Sequence, residues 1–531
     1  MAPQAVPESV LAETAWNERR LYALARRIGP SGADHQLTIP VTAPAHDETI
    51  AEIPDLDEAA VDRAVEQTRE ATERWQEYSL DERADVLAEF ADLAADNRGE
   101  LLDLVQLETG KSRGHALEET IDVPQNADYY ANNGAEMIDN ESRASGIPLA
   151  TSAEVQYDPK GVVGVISPWN YPLVLSFADA IPAPLAGNGV VLKPDEKTPF
   201  TALRLAELLE EAGLPEGVVS VVTGDGATVG SAVIERVDYL TFTGSSETGR
   251  IVAEQAGRNL IDCSLELSGK NPMVVLDDAD VDEAVRGAIQ GSFTNAGQLC
   301  LASERIYVHE AIYDEFLAEF VERTEALTLG ADFEFDADVG SLIDADQLDR
   351  VESHVADAVD SGATVHTGGE ARPEIGPYFY EPTILTDVPD SSLPACEETF
   401  GPVAVVESVD STEQAIEKAN DSDHGLNASV WSSDRDRATE IARQIESGTV
   451  CINDPFLVGW ASYDAPMGGV KDSGIGRRHG PEGLKRYTEP KTIATSAVGP
   501  LGPVPGIPDE IFARGFSALS NIQRRLNQWR R

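Results

Sequence analysis

From residue 161 onward the chain sets short apolar runs against helix signals. The runs are Val162-Val163-Gly164-Val165-Ile166, Val190-Val191-Leu192, Val218-Val219-Ser220-Val221-Val222 and Tyr239-Leu240-Thr241-Phe242, with helical stretches such as Ala202–Ala212 and Gly226–Glu235 between them. A strand that is apolar on both faces must be covered on both, and strands joined by crossover helices run parallel. The alternation therefore predicts a doubly wound parallel α/β sheet. A similar alternation returns after Pro272, through Met273–Leu276, Glu304–Val308, Val403–Val406 and Ser429–Trp431, and predicts a second α/β domain. Upstream, Val61, Val65, Val86, Leu87, Phe90, Leu93, Leu101, Leu104 and Val105 recur among acidic positions, which predicts surface helices over residues 57–107. Ser361–Pro377 is turn-rich.

With 531 residues the chain exceeds one ordinary core, so two or three domains are expected. Its 93 acidic against 40 basic side chains give a formal charge of −53, dispersed along the sequence. Such a field repels phosphate and argues against a nucleic-acid partner. It also points to a salty cell interior, where a short Debye length screens self-repulsion. Cys263, Cys300, Cys396 and Cys451 have no paired or metal-like spacing, so a reducing cytoplasm is expected, with no metal. The start, Met1-Ala-Pro-Gln-Ala-Val-Pro7, is not signal-like, and Ala180–Leu192 is too short and too broken by Pro and Gly to span a membrane. After the stiff Gly499–Pro508 linker, Phe512, Phe516, Leu519, Ile522, Leu526 and Trp529 recur at helical spacing. Arg514, Arg524, Arg525, Arg530 and Arg531 make this 500–531 tail basic, suited to an anionic membrane, to the protein's own acidic surface or to a neighbouring subunit.

Cys300 ends the run Phe293-Thr-Asn-Ala-Gly297-Gln298-Leu-Cys300, and Glu266 opens Glu266-Leu-Ser-Gly269-Lys270 upstream of it. A thiol that attacks a carbonyl and a carboxylate that activates water form a suitable pair. The Gly-Gln step is expected to let backbone approach a substrate closely. Asn170, in Pro168-Trp169-Asn170-Tyr171-Pro172, follows a predicted strand and offers an amide N–H to an oxyanion; its bland reading is a turn residue bonding its own backbone. Lys193 and Glu196 end another strand and are each suited to an adenosine ribose hydroxyl. Phe242-Thr-Gly244-Ser245-Ser246-Glu-Thr-Gly249 is a strand-to-helix turn that suits a pyrophosphate, or is an ordinary capped turn. Glu398 and Phe400 offer a carboxylate for a second ribose and a ring for a flat heterocycle.

Together with Pro466–Arg477, these segments resemble the aldehyde dehydrogenase superfamily, in its order from about residue 40 to 495. The resemblance implies a Rossmann-type cofactor domain (residues 1–140 and 161–266), a second α/β catalytic domain (267–453) and a small oligomerisation arm (141–160 and 486–497) that makes a homodimer or homotetramer. It implies Cys300 as nucleophile, Glu266 as general base and Asn170 as oxyanion donor. Trp169, Lys193, Glu196, Gly244, Ser245, Glu398 and Phe400 become the contacts of NAD or NADP, with repulsion from Glu196 favouring NAD. Ser268 stands where many relatives have Gly. Longer stretches, including Asn295–His309, resemble a succinate-semialdehyde dehydrogenase branch, although the arginines that hold the substrate carboxylate in better-known members align with Ala178 and Thr294. Either Arg305 substitutes or the pocket takes uncharged aliphatic or aromatic aldehydes. The product expected is the free acid. The rivals from other classes are a catalytically silent structural or binding protein and a membrane-associated scaffold.

Overall fold

The computed structural model describes residues 9–32, 36–145, 147, 150–503 and 505–529. Met1–Pro7, Arg530 and Arg531 lie outside the described residues, and of the tail side chains named above so do Leu519, Ile522, Leu526 and Trp529.

Two parallel sheets dominate. In the first, the strands Val162–Ile166, Gly189–Lys193, Val219–Val221, Tyr239–Thr243 and Asp262–Glu266 all run parallel. Val162–Ile166 lies between Tyr239–Thr243 on one side and Gly189–Lys193 on the other. Chain order therefore reverses at Val162–Ile166, and this reversal opens a crevice at the carboxyl ends of the strands. A sixth, short strand, Gly474–Ile475, returns from far along the chain and pairs antiparallel with Leu265–Glu266. The second sheet has seven strands centred on Asn271–Val275 and Ser303–His309, flanked by Val403–Val409 and Asn427–Trp431. A third, antiparallel sheet joins Glu141–Arg143, Thr151–Pro159 and Thr488–Ser496.

The apolar runs become strands within three residues of their sequence bounds. Others had no such signal. Asp262–Glu266 lacks a continuous apolar run and is made a strand by its ladder to Tyr239–Thr243. Thr364–Thr367, inside the turn-rich stretch, pairs with Thr383–Thr386 at the edge of the second sheet. The helix expected over Gly226–Glu235 is a wide turn over Gly226–Gly230 followed by a short helix, Ser231–Ile234. Residues 57–107 fold as Glu58–Trp75, Leu80–Asp96 and Arg98–Thr109, the second opened by a reciprocal cap between Ser79 and Glu82. The tail forms a helix, Asp509–Trp529, with Ile511 and Phe516 exposed. Among the described residues no helix is long and apolar enough to cross a membrane.

One buried ion pair fixes the chain where it leaves the central strand. Lys111 and Glu119 are paired with both side chains fully buried. Glu119 also accepts the Leu173 and Val174 N–H groups at 2.9 and 3.2 Å, capping the helix Pro172–Ala180. Lys111 Nζ lies 3.5 Å from the centroid of the Tyr171 ring. Removing one partner of a buried pair strands the other's charge, which costs about 3–5 kcal/mol. Lys111→Met is therefore expected to lower the urea midpoint by that order of free energy; a loss below about 1 kcal/mol would show that the pair does not hold this region.

Candidate active site

The carboxyl ends of Val162–Ile166, Tyr239–Thr243 and Asp262–Glu266 open into a cleft of about 590 Å³. Trp169, Asn170, Gly244, Ser245, Glu266, Cys300, Glu398 and Phe400 all line it. Lys193 and Glu196 stand beside it at the end of Gly189–Lys193, paired to each other at 2.7 Å. A second, narrower cavity of about 70 Å³ lies on the other side of Cys300 and shares Asn170, Leu175 and Cys300 with the first. The thiol thus sits where two cavities meet. The tunnel walls include Tyr171, Leu299, Leu301, Phe456 and Trp460, with Glu118 and Asp122 among them.

The loop before the thiol is wound in an unusual way. Asn295, Ala296 and Gly297 have φ of 55°, 53° and 71° in succession. Only glycine adopts such values freely. A Cβ on Gly297 would also lie 2.0 Å from the Gly401 carbonyl oxygen. The Gly-Gln step is thus packed against protein, which corrects the expectation that it faces substrate. Gln298 is fully buried: its Nε2 donates to the Asn295 carbonyl at 3.0 Å and its Oε1 accepts the Ile343 N–H at 3.0 Å. Asn170 Nδ2 and Asn295 Nδ2 both donate to the Gln298 carbonyl, at 3.0 and 2.9 Å. One amide hydrogen of Asn170 is therefore occupied, and an amide carries two. Asn271 fixes the far side by donating to the Cys300 carbonyl at 2.8 Å.

Burial pushes the Cys300 thiol up to about 12; Glu398 adds to this, Arg478 opposes it and Glu266 adds again. Burial also lifts Glu266 to about 7, against the pull of Arg478. Near neutrality the thiol keeps its proton and the carboxylate is poised to take one. Glu398 is raised to about 7 by burial and by Glu304, and it accepts the Gly269 N–H at 3.0 Å. Its loop is held by the buried Lys270–Glu304 pair, with Glu304 accepting the Thr399 and Phe400 N–H groups at 2.9 Å each.

The cleft suits a dinucleotide. The Trp169 and Phe400 rings meet edge to face, with centroids 5.6 Å apart at 87°. The helix Ser246–Asn259 points its N-terminus into the space, and such a terminus attracts phosphate. Ser245 Oγ accepts the Thr248 N–H at 3.2 Å, so its oxygen caps this helix and what it offers a pyrophosphate is its position and backbone. Arg250 and Arg350 also line the cleft, cations that sequence reasoning missed because neither belongs to a phosphate motif.

The sequence profile of the aldehyde dehydrogenase family matches residues 32–493. The chain belongs to that family. A Mycolicibacterium smegmatis protein provisionally named succinate-semialdehyde dehydrogenase [NADP(+)] is 48% identical over 463 residues, covering 87% of this chain and 90% of that protein. Betaine aldehyde dehydrogenase of Bacillus subtilis is 39% identical over 464 residues, covering 85% of this chain and 92% of that protein. The crystal structure of betaine aldehyde dehydrogenase from Staphylococcus aureus in complex with NAD+ superposes with a TM-score of 0.86 at 34% identity, covering 92% of this chain and 98% of that one. This aldehyde dehydrogenase is an NAD(P)-dependent oxidoreductase acting on small aldehydes.

Three positions expected to bear on the substrate carboxylate do not line the tunnel. Arg305 is buried and committed: its Nε donates to the Lys270 carbonyl and its other nitrogens to Tyr307 and to the carbonyls of Lys418, Ala419 and Asp421. It does not line the tunnel, which corrects its suggested role as a carboxylate partner. Ala178 and Thr294 are buried and do not line it either.

Gly297→Ala is expected to displace the thiol loop. A misplacement of about 1 Å costs on the order of 100-fold in rate, so kcat/KM should fall by at least that factor while the folded protein is still recovered. Unchanged kcat/KM would show that this winding is not needed.

Proposed function

We propose that this aldehyde dehydrogenase converts an aldehyde to the free carboxylic acid through a covalent thioester on Cys300. The observation that carries this reading is the seat of Cys300 where a dinucleotide-sized cleft meets a narrow tunnel, with Asn170 lining both and Glu266 lining the cleft. The thiol gives its proton to Glu266 and the sulfur adds to the carbonyl carbon; the carbonyl π pair moves to oxygen, where the free Asn170 amide hydrogen meets it. Bound NAD(P) supplies the acceptor for the hydride that leaves this carbon. As the hydride leaves, the oxyanion pair re-forms the carbonyl and a thioester results, while Glu266 releases its proton to solvent. Glu266 then takes a proton from water, hydroxide adds to the thioester carbon, the C–S bond breaks, and the departing sulfur takes that proton back from Glu266 as the acid leaves. Trp169, Phe400, Glu398, Gly244 and Ser245 form the nucleotide wall, with Lys193 and Glu196 beside it.

On the nucleotide, Glu196 supports NAD, yet its pairing with Lys193 at 2.7 Å offsets the charge that a 2′-phosphate would meet, and the mycobacterial relative is named for NADP(+). Both are expected to support turnover. On the aldehyde, the mycobacterial name supports succinate semialdehyde. A specific observation favours uncharged aldehydes as a second reading: among the described residues no Lys or Arg lines the tunnel, whereas Glu118 and Asp122 do. A desolvated carboxylate with no partner loses a few kcal/mol. Comparing kcat/KM for succinate semialdehyde with pentanal, of similar length without the charge, separates the two; about tenfold or more in favour of succinate semialdehyde would sink the second reading.

The two parallel sheets support reading residues 1–140 and 161–266 as the cofactor unit and 267–453 as the catalytic unit. The exposed strand Thr488–Ser496, an open sheet edge, supports the arm as the site of homodimer or homotetramer assembly. Four free cysteines support a cytoplasmic setting, and the charge of −53 supports a saline one. The unfolding midpoint is expected to rise between dilute buffer and about 2 M KCl, where screening reaches a few ångströms.

Glu266→Gln should keep a burst of reduced nucleotide and lose later turnover. In the parent enzyme, kcat limited by thioester hydrolysis should rise through a midpoint near pH 7, because Glu266, lifted to about 7 by burial, acts only when ionised. Full steady-state turnover in the Gln variant would falsify the assignment.

A further inference from the structure

The segment Pro466–Gly480 folds over Glu266. Gly474 pairs with Glu266 in the sheet, and a Cβ on Gly468 would lie 2.9 Å from Glu266 Oε1. At the end of this segment stands Arg478, whose side chain is 3% exposed. Its Nη2 donates to Asp179 Oδ2 at 3.2 Å and to Thr243 Oγ1 at 3.3 Å. Its Nε faces Glu266 Oε1 across 3.8 Å. Among the described residues neither of these two buried atoms has a hydrogen-bond partner.

The geometry points to Arg478 as a positioning residue for Glu266, anchored by Asp179 and holding the carboxylate in its ionised, water-activating form. This rests on the reading of Glu266 as the base. A guanidinium keeps its charge at any working pH, so it biases a neighbouring carboxylate without titrating. The charged and titratable groups facing Glu266 are Arg478 and Arg477 from the folded-over segment, Arg486 beyond it, Asp179 from the helix Pro172–Ala180, and Cys300. Asp179 is shared, since it also pairs with Arg486 Nη2 at 2.5 Å. Arg478 and Arg486 thus face Asp179 and Glu266 in one buried cluster. Arg478 also acts on Cys300, opposing the burial that keeps the thiol protonated. One fixed charge serves both reacting side chains.

The test is the pH dependence of thioester hydrolysis, with Glu266→Gln as the reference arm. Arg478→Gln should move the midpoint of kcat upward by about one pH unit and slow iodoacetamide alkylation of Cys300 at fixed pH severalfold. Arg478→Lys, which keeps the charge, should leave the midpoint within about 0.3 unit of the parent's. Asp179→Asn should move it the opposite way, because the arginines then lack their counter-charge. A purely structural role would lower kcat or melting temperature in all three without moving the midpoint. An unmoved midpoint in a folded Arg478→Gln protein overturns the inference; should that variant fail to fold, an unmoved midpoint in Asp179→Asn, or a shift of a full unit in Arg478→Lys, does so. If Glu266→Gln itself retains full turnover, the base assignment fails instead.

Discussion

Carboxylates taken out of water hold this active site in place. A buried carboxylate must find donors or a cation, and whatever supplies them is thereby fixed. Glu119 is met by Lys111 and by the N–H groups of Leu173 and Val174, which sets the turn carrying Asn170. Glu304 is met by Lys270 and by the N–H groups of Thr399 and Phe400, which sets the loop carrying Glu398. Asp179 is met by Arg478 and Arg486, which sets the segment closing over Glu266. Each wall of the site is tied down by a charge pair that would cost several kcal/mol to break from one side.

With the walls fixed, the chemistry follows from where the strands end. The order reversal at Val162–Ile166 leaves a crevice, and the side chains just past the strands fall into it. Asn170 follows the first strand, Ser245 follows Tyr239–Thr243, and Glu266 ends Asp262–Glu266. Cys300 comes from between two strands of the other sheet, on a loop wound through three left-handed residues. The thiol therefore reaches the crevice from the other sheet and lines both it and the tunnel. Burial raises the thiol and the carboxylate together, so near neutrality the thiol holds its proton while the carboxylate titrates.

Much of this was legible in the letters. Strands buried on both faces declare themselves as continuous apolar runs, so Val162–Ile166, Gly189–Lys193 and Tyr239–Thr243 could be read almost to the residue. Asp262–Glu266 could not, because a strand made by its neighbour's ladder needs no apolar run of its own. Among site residues, Cys300, Glu266 and Asn170 stand in distinctive local runs. Gln298 and Asn271 act through carbonyls brought near only by folding, and Arg305 shows the converse, a cation near the right motif whose donors all go to backbone and Tyr307.

The sequence alone determined the layered architecture, the strand-end positions and which side chains are candidates for reaction, because periodicity and residue chemistry are local properties of the chain. Tertiary structure alone decided that Arg478, more than two hundred residues after Glu266, lies 3.8 Å from it, that Gly297 faces Gly401 instead of substrate, and that the tunnel carries acids and no cation among its described lining. Those outcomes depend on distances between segments remote in the chain, and charge and sterics act through distance.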